Sequence, residues 1–171
     1  MKLLKSTRKL SRLTTLLLPD TAMLPSDGWL RDGLWPHGLV ELQLPGWLFQ
    51  GPGLSDMVAG WPPGLSDLTI NHCRTCPLLT DRANYAEVIA PNIKTLTLQD
   101  SHHVTEHLRL LRIFTVFPSL QSLSIPAEAI TRGVPDMTSL DLPLETLELT
   151  RRENDEDEAL TDFWQVLRSK N

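Results

Sequence analysis

A six-residue arrangement of apolar and polar positions recurs along the chain, with leucine or isoleucine at its first, fourth and sixth places. It reads LTTLLL (Leu13, Leu16, Leu18), LVELQL (Leu39, Leu42, Leu44) and LSDLTI (Leu65, Leu68, Ile70) in the first half. It returns as IKTLTL (Ile93, Leu96, Leu98), LQSLSI (Leu120, Leu123, Ile125) and LETLEL (Leu144, Leu147, Leu149). The copies begin at residues 13, 39, 65, 93, 120 and 144, so successive starts lie 24 to 28 residues apart. One hexamer arises easily by chance; six at near-constant spacing do not. Proline comes shortly before five of them, as Pro36, Pro62, Pro91, Pro118 and Pro143. Within each hexamer the fourth and sixth residues alternate with polar ones, which predicts a short strand with one apolar face. A single such strand cannot bury that face, so the copies must lie side by side and share a core.

The segments between strands differ. TDRANYAEVIA predicts a helix capped at Thr80 or Asp81, with Tyr85, Val88 and Ile89 at helical spacing. SHHVTEHLRLLRIFTVF predicts the best helix of the chain, with Val104, Leu108, Leu111 and either Ile113 or Phe114 on one face. The first two crossings, rich in Gly, Pro and Trp, predict loops and short 3-10 turns, with Ser55 and Asp56 as a helix cap. At the far end Leu160, Phe163, Trp164 and Leu167 follow helical spacing and predict a closing helix over the last strand.

The expected architecture is therefore α/β: a leucine-rich-repeat solenoid of about six repeats. A parallel sheet lines its concave side, and irregular loops or short helices line its convex side. Residues 1–12 form a basic segment, either a partial repeat or mobile. Residues 13–152 form the repeat domain, and 153–171 an acidic linker with a capping helix. Strand one has an open side, expected to be covered by upstream sequence, by the basic segment or by a partner.

Composition narrows the function. The 171 residues carry a net charge of −5, which disfavours nucleic acid as the main partner. Lys2, Lys5, Arg8, Lys9 and Arg12 crowd the first twelve residues without an acid, while ENDEDE near the other end is almost wholly acidic. Both read as solvated ends, or the first as a basic arm for an acidic partner. No apolar run approaches the roughly 18 residues of a membrane helix, and two cysteines cannot form a disulfide framework. The expected setting is intracellular, cytoplasmic or nuclear.

Candidate chemistry is sparse. Cys73 and Cys76 form a CxxC, but Cys73 is the ninth residue counted from Leu65. Such a repeat commonly turns an Asn or Cys inward at that place, so Cys73 reads as a buried repeat cysteine. The equivalent residues Thr21, Trp47, Ser101, Glu128 and Arg152 form an incomplete ladder. His103 and His107 have the spacing of a shared metal on a helix, with His102 adjacent. Glu106 does not sit as in H-E-x-x-H, and solvated histidines are the simpler reading. Trp35 and Trp61 occupy the same place, before proline, and read as packing residues. There is no phosphate loop and no G-x-S-x-G, so neither an enzyme nor a cofactor or metal is expected.

The outward residues of the strands are the third, fifth and seventh of each repeat. The third column is Thr15, Glu41, Asp67, Thr95, Ser122 and Thr146; the fifth is Leu17, Gln43, Thr69, Thr97, Ser124 and Glu148. The seventh is Pro19, Pro45, Asn71, Gln99, Pro126 and Thr150. The candidate binding residues are Glu41, Gln43, Asp67, Thr69, Asn71, Thr95, Thr97, Gln99, Ser122, Ser124 and Glu148. They are small, polar and in part acidic, which suits a protein partner with a basic surface.

The stretches WPHGLVELQLPG, WPPGLSDLTINHC, APNIKTLTLQD, FPSLQSLSIPAEAI and LPLETLEL resemble the repeat region of fungal F-box/leucine-rich-repeat proteins. That resemblance implies a protein-binding module serving as the substrate-recognition repeats of a ubiquitin-ligase subunit. No L-P-x-E-I-type F-box segment is present, so a stand-alone scaffold without a ligase link is the alternative. A metal-binding protein using His102, His103, His107, Cys73 and Cys76 is the remote third.

Overall fold

Four of the six hexamers begin at a tight turn whose closing N–H belongs to the first apolar residue. Leu39 donates to the Pro36 carbonyl at 3.1 Å, Leu65 to Pro62 at 3.0 Å and Leu120 to Phe117 at 3.1 Å. Ile93 makes the longest of these bonds, 3.5 Å to Ala90. The prolines fit this role. Pro63, Pro91 and Pro118 stand second in their turns, where a fixed φ is already the one required. The closing residues Leu39, Leu65, Ile93 and Leu120 are all buried.

These details come from a computed structural model, which describes residues 12–18, 35–49, 54–71, 88–99, 110–126 and 144–150. Its strands are β1 (Thr15–Leu17), β2 (Glu41–Pro45), β3 (Asp67–Asn71), β4 (Thr95–Gln99), β5 (Ser122–Pro126) and β6 (Thr146–Thr150). They form one six-stranded, all-parallel sheet in sequence order. Between β2 and β3 lie a 3-10 helix, Gly46–Phe49, and a short helix α1, Leu54–Ala59. Helix α2, Leu110–Val116, precedes β5. The protein is thus α/β with few helices among the described residues.

The register is the same at every step. Leu16 pairs with Leu42, Leu42 with Leu68, Leu68 with Leu96, Leu96 with Leu123, and Leu123 with Leu147. The four inner leucines of this ladder are essentially inaccessible, while Leu16 and Leu147 at the ends are half-buried. Each inner side chain so buried stabilises the fold by about 1.5–3 kcal/mol. A second ladder runs through backbone atoms. In each repeat the N–H groups of the second and third residues both donate to the second-residue carbonyl of the repeat before. Val40 and Glu41 donate to Thr14 O at 2.8 and 2.9 Å, and Ser66 and Asp67 to Val40 O at 3.0 Å. Lys94 and Thr95 use Ser66 O, Gln121 and Ser122 use Lys94 O, and Glu145 and Thr146 use Gln121 O.

Two ladders are cut short. β2 pairs with β3 over five residues, as do β3 with β4 and β5 with β6, but β1–β2 and β4–β5 stop after three. The third-residue N–H points to the preceding strand, so by the two-residue period the seventh-residue N–H does too. In β2 and β5 that residue is Pro45 or Pro126, which has no N–H to give. Each proline remains paired with its downstream neighbour, Asn71 or Thr150.

The structure corrects several expectations. Residues 88–90 are not helical; Val88 and Ala90 are buried while Ile89 points outward at 55% exposed. Ala90 N–H bonds Val116 O at 2.7 Å across to the next crossing. Pro45 and Pro126, expected on the outward face, are buried. The second crossing contains α1 as well as the 3-10 turn; Ser55 and Asp56 lie inside α1, and Met57 and Val58 bury its inner side. Among the described side chains of α2, Ile113 and Val116 are buried, in line with one of the two expected alternatives, and Phe114 is half-buried. The basic segment before Arg12, Tyr85, the ninth-position residues other than Trp47, the candidate histidines His102, His103 and His107, and the closing helix lie outside the described residues.

Candidate binding face

The sheet's polar side is built by the odd places of the repeats. With the fourth and sixth side chains drawn into the core, the third and fifth stand on the other side. Thr15, Glu41, Asp67 and Thr95 are direct neighbours across four strands, and Gln43, Thr69, Thr97 and Ser124 form the next row. Adjacent strands lie about 4.8 Å apart, so Glu41 and Asp67 set two carboxylates side by side. Thr15 Oγ1 donates to Glu41 Oε2 at 3.2 Å, and Ser66 Oγ donates to Asp67 Oδ2. Both acids thus accept hydrogen bonds from neighbouring hydroxyls.

A depression of about 400 Å³ opens on this face. Thr15, Glu41, Asp67, Thr69, Thr95 and Thr97 line it, together with Thr14, Val40 and Leu68. Five of the eleven candidate residues therefore meet here. Gln43, Asn71, Gln99, Ser122, Ser124 and Glu148 do not line it. Ser124 is 8% exposed and closed to a partner, whereas Gln99 at the end of β4 and Glu148 in the middle of β6 are exposed. Asn71 keeps a buried Oδ1 without a hydrogen-bond partner among the described residues.

Thr14 and Val40 were not foreseen. Both stand second in their repeats, the place whose carbonyl accepts two N–H bonds from the next repeat. That place lies just before regular pleating begins, so period-two counting from the core leucines assigns it no face. Every second-place residue from Thr14 to Glu145 is exposed or half-buried. The signal was available in the repeat alignment, where this column is polar except at Val40.

The tryptophan expectation can be followed at two positions. Trp35 is buried in the core, and Trp61 is half-buried and packed against it. Among the described residues no three His, Cys, Asp or Glu side chains group as metal ligands, and no helix is long and apolar enough to cross a membrane. Cys73, Cys76, His102, His103 and His107 lie outside those residues. No family model, curated protein or solved structure matches the chain.

Proposed function

We propose that the chain is a protein-protein interaction module, a leucine-rich-repeat solenoid that binds through the polar face around Glu41 and Asp67. The observation that carries this reading is the depression in which two neighbouring carboxylates sit among threonine hydroxyls. The constant register and the repeating carbonyl ladder support the solenoid. The partner this face fits is an extended peptide or loop bearing lysine or arginine. A cation bridges the two carboxylates, and the hydroxyls both donate to and accept from the partner's backbone. Such polar complementarity sets orientation and association rate, and a face of this kind needs no catalytic group. Service as the substrate-recognition repeats of an F-box-type ubiquitin-ligase subunit is the extension that the sequence resemblance supplies, and it stands on that resemblance alone.

The reading is tested with a fluorescein-labelled peptide alternating lysine and serine, followed by anisotropy at low salt. Glu41→Lys combined with Asp67→Lys is expected to weaken binding at least about tenfold. Asn92→Lys, an exposed change in the turn before β4, leaves the affinity within about twofold if the polar face is the site. Equal weakening by both changes, or no saturable binding, overturns the proposal.

A further inference from the structure

The surroundings of the two carboxylates are not symmetric. On the β1–β2 side stand the apolar Val40 and Leu17, 41% and 56% exposed. Val40 lines the depression, and Leu17 lies one strand over and two residues along from Glu41. Ile89, the third large apolar side chain left exposed among the described residues, sits on a crossing and lines a separate hollow. On the β4 side the second-place residue is the exposed Lys94. The second-place side chains before it all reach this face: Thr14 and Val40 line the depression, and Ser66 Oγ donates to Asp67. Lys94 shares their backbone arrangement, since Lys94 and Thr95 donate to Ser66 O as Ser66 and Asp67 donate to Val40 O. Its side chain therefore rises on the same face, one strand beyond Asp67. From β1 to β4 the face runs from apolar through acidic to basic.

That order matches the period of an extended chain laid across the strands. Strands about 4.8 Å apart put roughly 12 Å between the midline of β1–β2 and β4. Four residues of extended chain cover about 13 Å, and every second side chain faces the sheet. Three successive sheet-facing side chains thus meet Val40 with Leu17, then Glu41 with Asp67, then Lys94. Each place selects a different chemistry. Exposed valine and leucine gain from being covered by apolar surface. The neighbouring carboxylates take lysine or arginine, and the like charge of Lys94 rejects a second one while attracting an acid. From this arrangement we propose that the depression reads a polarised peptide, with an apolar, a basic and an acidic side chain at alternate positions. Val40, Leu17 and Lys94 are then its specificity-determining residues. This deepens the reading of the polar face as the binding surface and rests on it, and the two can fail separately.

The test uses fluorescein-labelled peptides and anisotropy on the full chain. Gly-Leu-Ser-Lys-Ser-Glu-Gly carries the proposed order; Gly-Lys-Ser-Leu-Ser-Glu-Gly has the same composition with the cation moved to the end. The first is expected to bind at least about fivefold more tightly than the second. Val40→Ser combined with Leu17→Ser, both exposed changes, is expected to bring the two within about twofold. Lys94→Glu is expected to reverse a second preference, that for Gly-Leu-Ser-Lys-Ser-Glu-Gly over Gly-Leu-Ser-Lys-Ser-Lys-Gly. Saturable binding with equal affinity for both orders overturns the polarised reading and leaves the proposed function standing. A preference that survives the change meant to remove it also overturns the reading, because the order is then read elsewhere. Binding of none of the peptides removes the proposed function and this inference with it.

Discussion

Asn71 shows what a single atom contributes. Its Oδ1 is buried without a hydrogen-bond partner among the described residues, at the end of β3 between Pro45 and Gln99. An oxygen in that position forfeits its bonds with water, a cost of about 1–3 kcal/mol. Valine is nearly isosteric with asparagine's inner atoms and suits a strand. Asn71→Val is therefore expected to stabilise the protein by about 1 kcal/mol, read as a rise in the urea midpoint with an unchanged slope. Destabilisation would show that the side-chain amide makes a bond worth more than the stranded oxygen costs. Sequence reasoning put Asn71 on the outward face by parity alone, and parity carries no information about how deeply the strand ends are covered.

At the scale of elements, the turns were legible as proline-marked boundaries and the strands as the places between them. Gly64 tests how far the turn depends on glycine itself. A methyl group added there meets Leu39 O at 3.6 Å, an ordinary contact, and the backbone is not in the left-handed region. Gly64→Ala is therefore expected to be neutral or to stabilise by up to about 1 kcal/mol, through a less flexible unfolded chain. A loss above about 1 kcal/mol in thermal unfolding would contradict this. The crossings were less legible. Val88 and Ile89 satisfy helical spacing on paper, yet residues 88–90 are not helical, and Ala90 N–H bonds Val116 O. That bond joins residues far apart in sequence, and no local pattern announces it.

For the whole molecule, the position of a leucine in the ladder should matter more than its identity. Leu96 is fully buried between Leu68 and Leu123, whereas Leu16 lies half-buried on the terminal strand. Leu96→Ala is expected to cost about 2–5 kcal/mol, and Leu16→Ala about 1 kcal/mol, by denaturant titration. Comparable losses at both sites would mean that the end of the sheet is packed as tightly as its middle. The six strands and their register were readable because one spacing, repeated six times, leaves a single in-phase arrangement for the core. The candidate face was readable in its third and fifth columns. In its seventh column Gln99 and Thr150 are exposed, while Pro45 and Pro126 are buried and offer a partner nothing.

Those two prolines also divide the sheet mechanically. Where Pro45 and Pro126 withhold an N–H, β1 separates from β2 and β5 from β4 one rung early. The fully laced strands β2, β3 and β4 form one block, and β5 with β6 another. A pull on either terminus, or the grip of an unfolding machine, would part the sheet first along these seams. The depression spans the first of these seams, since Thr14 and Thr15 line it on the β1 side and Glu41, Asp67 and Thr95 on the other.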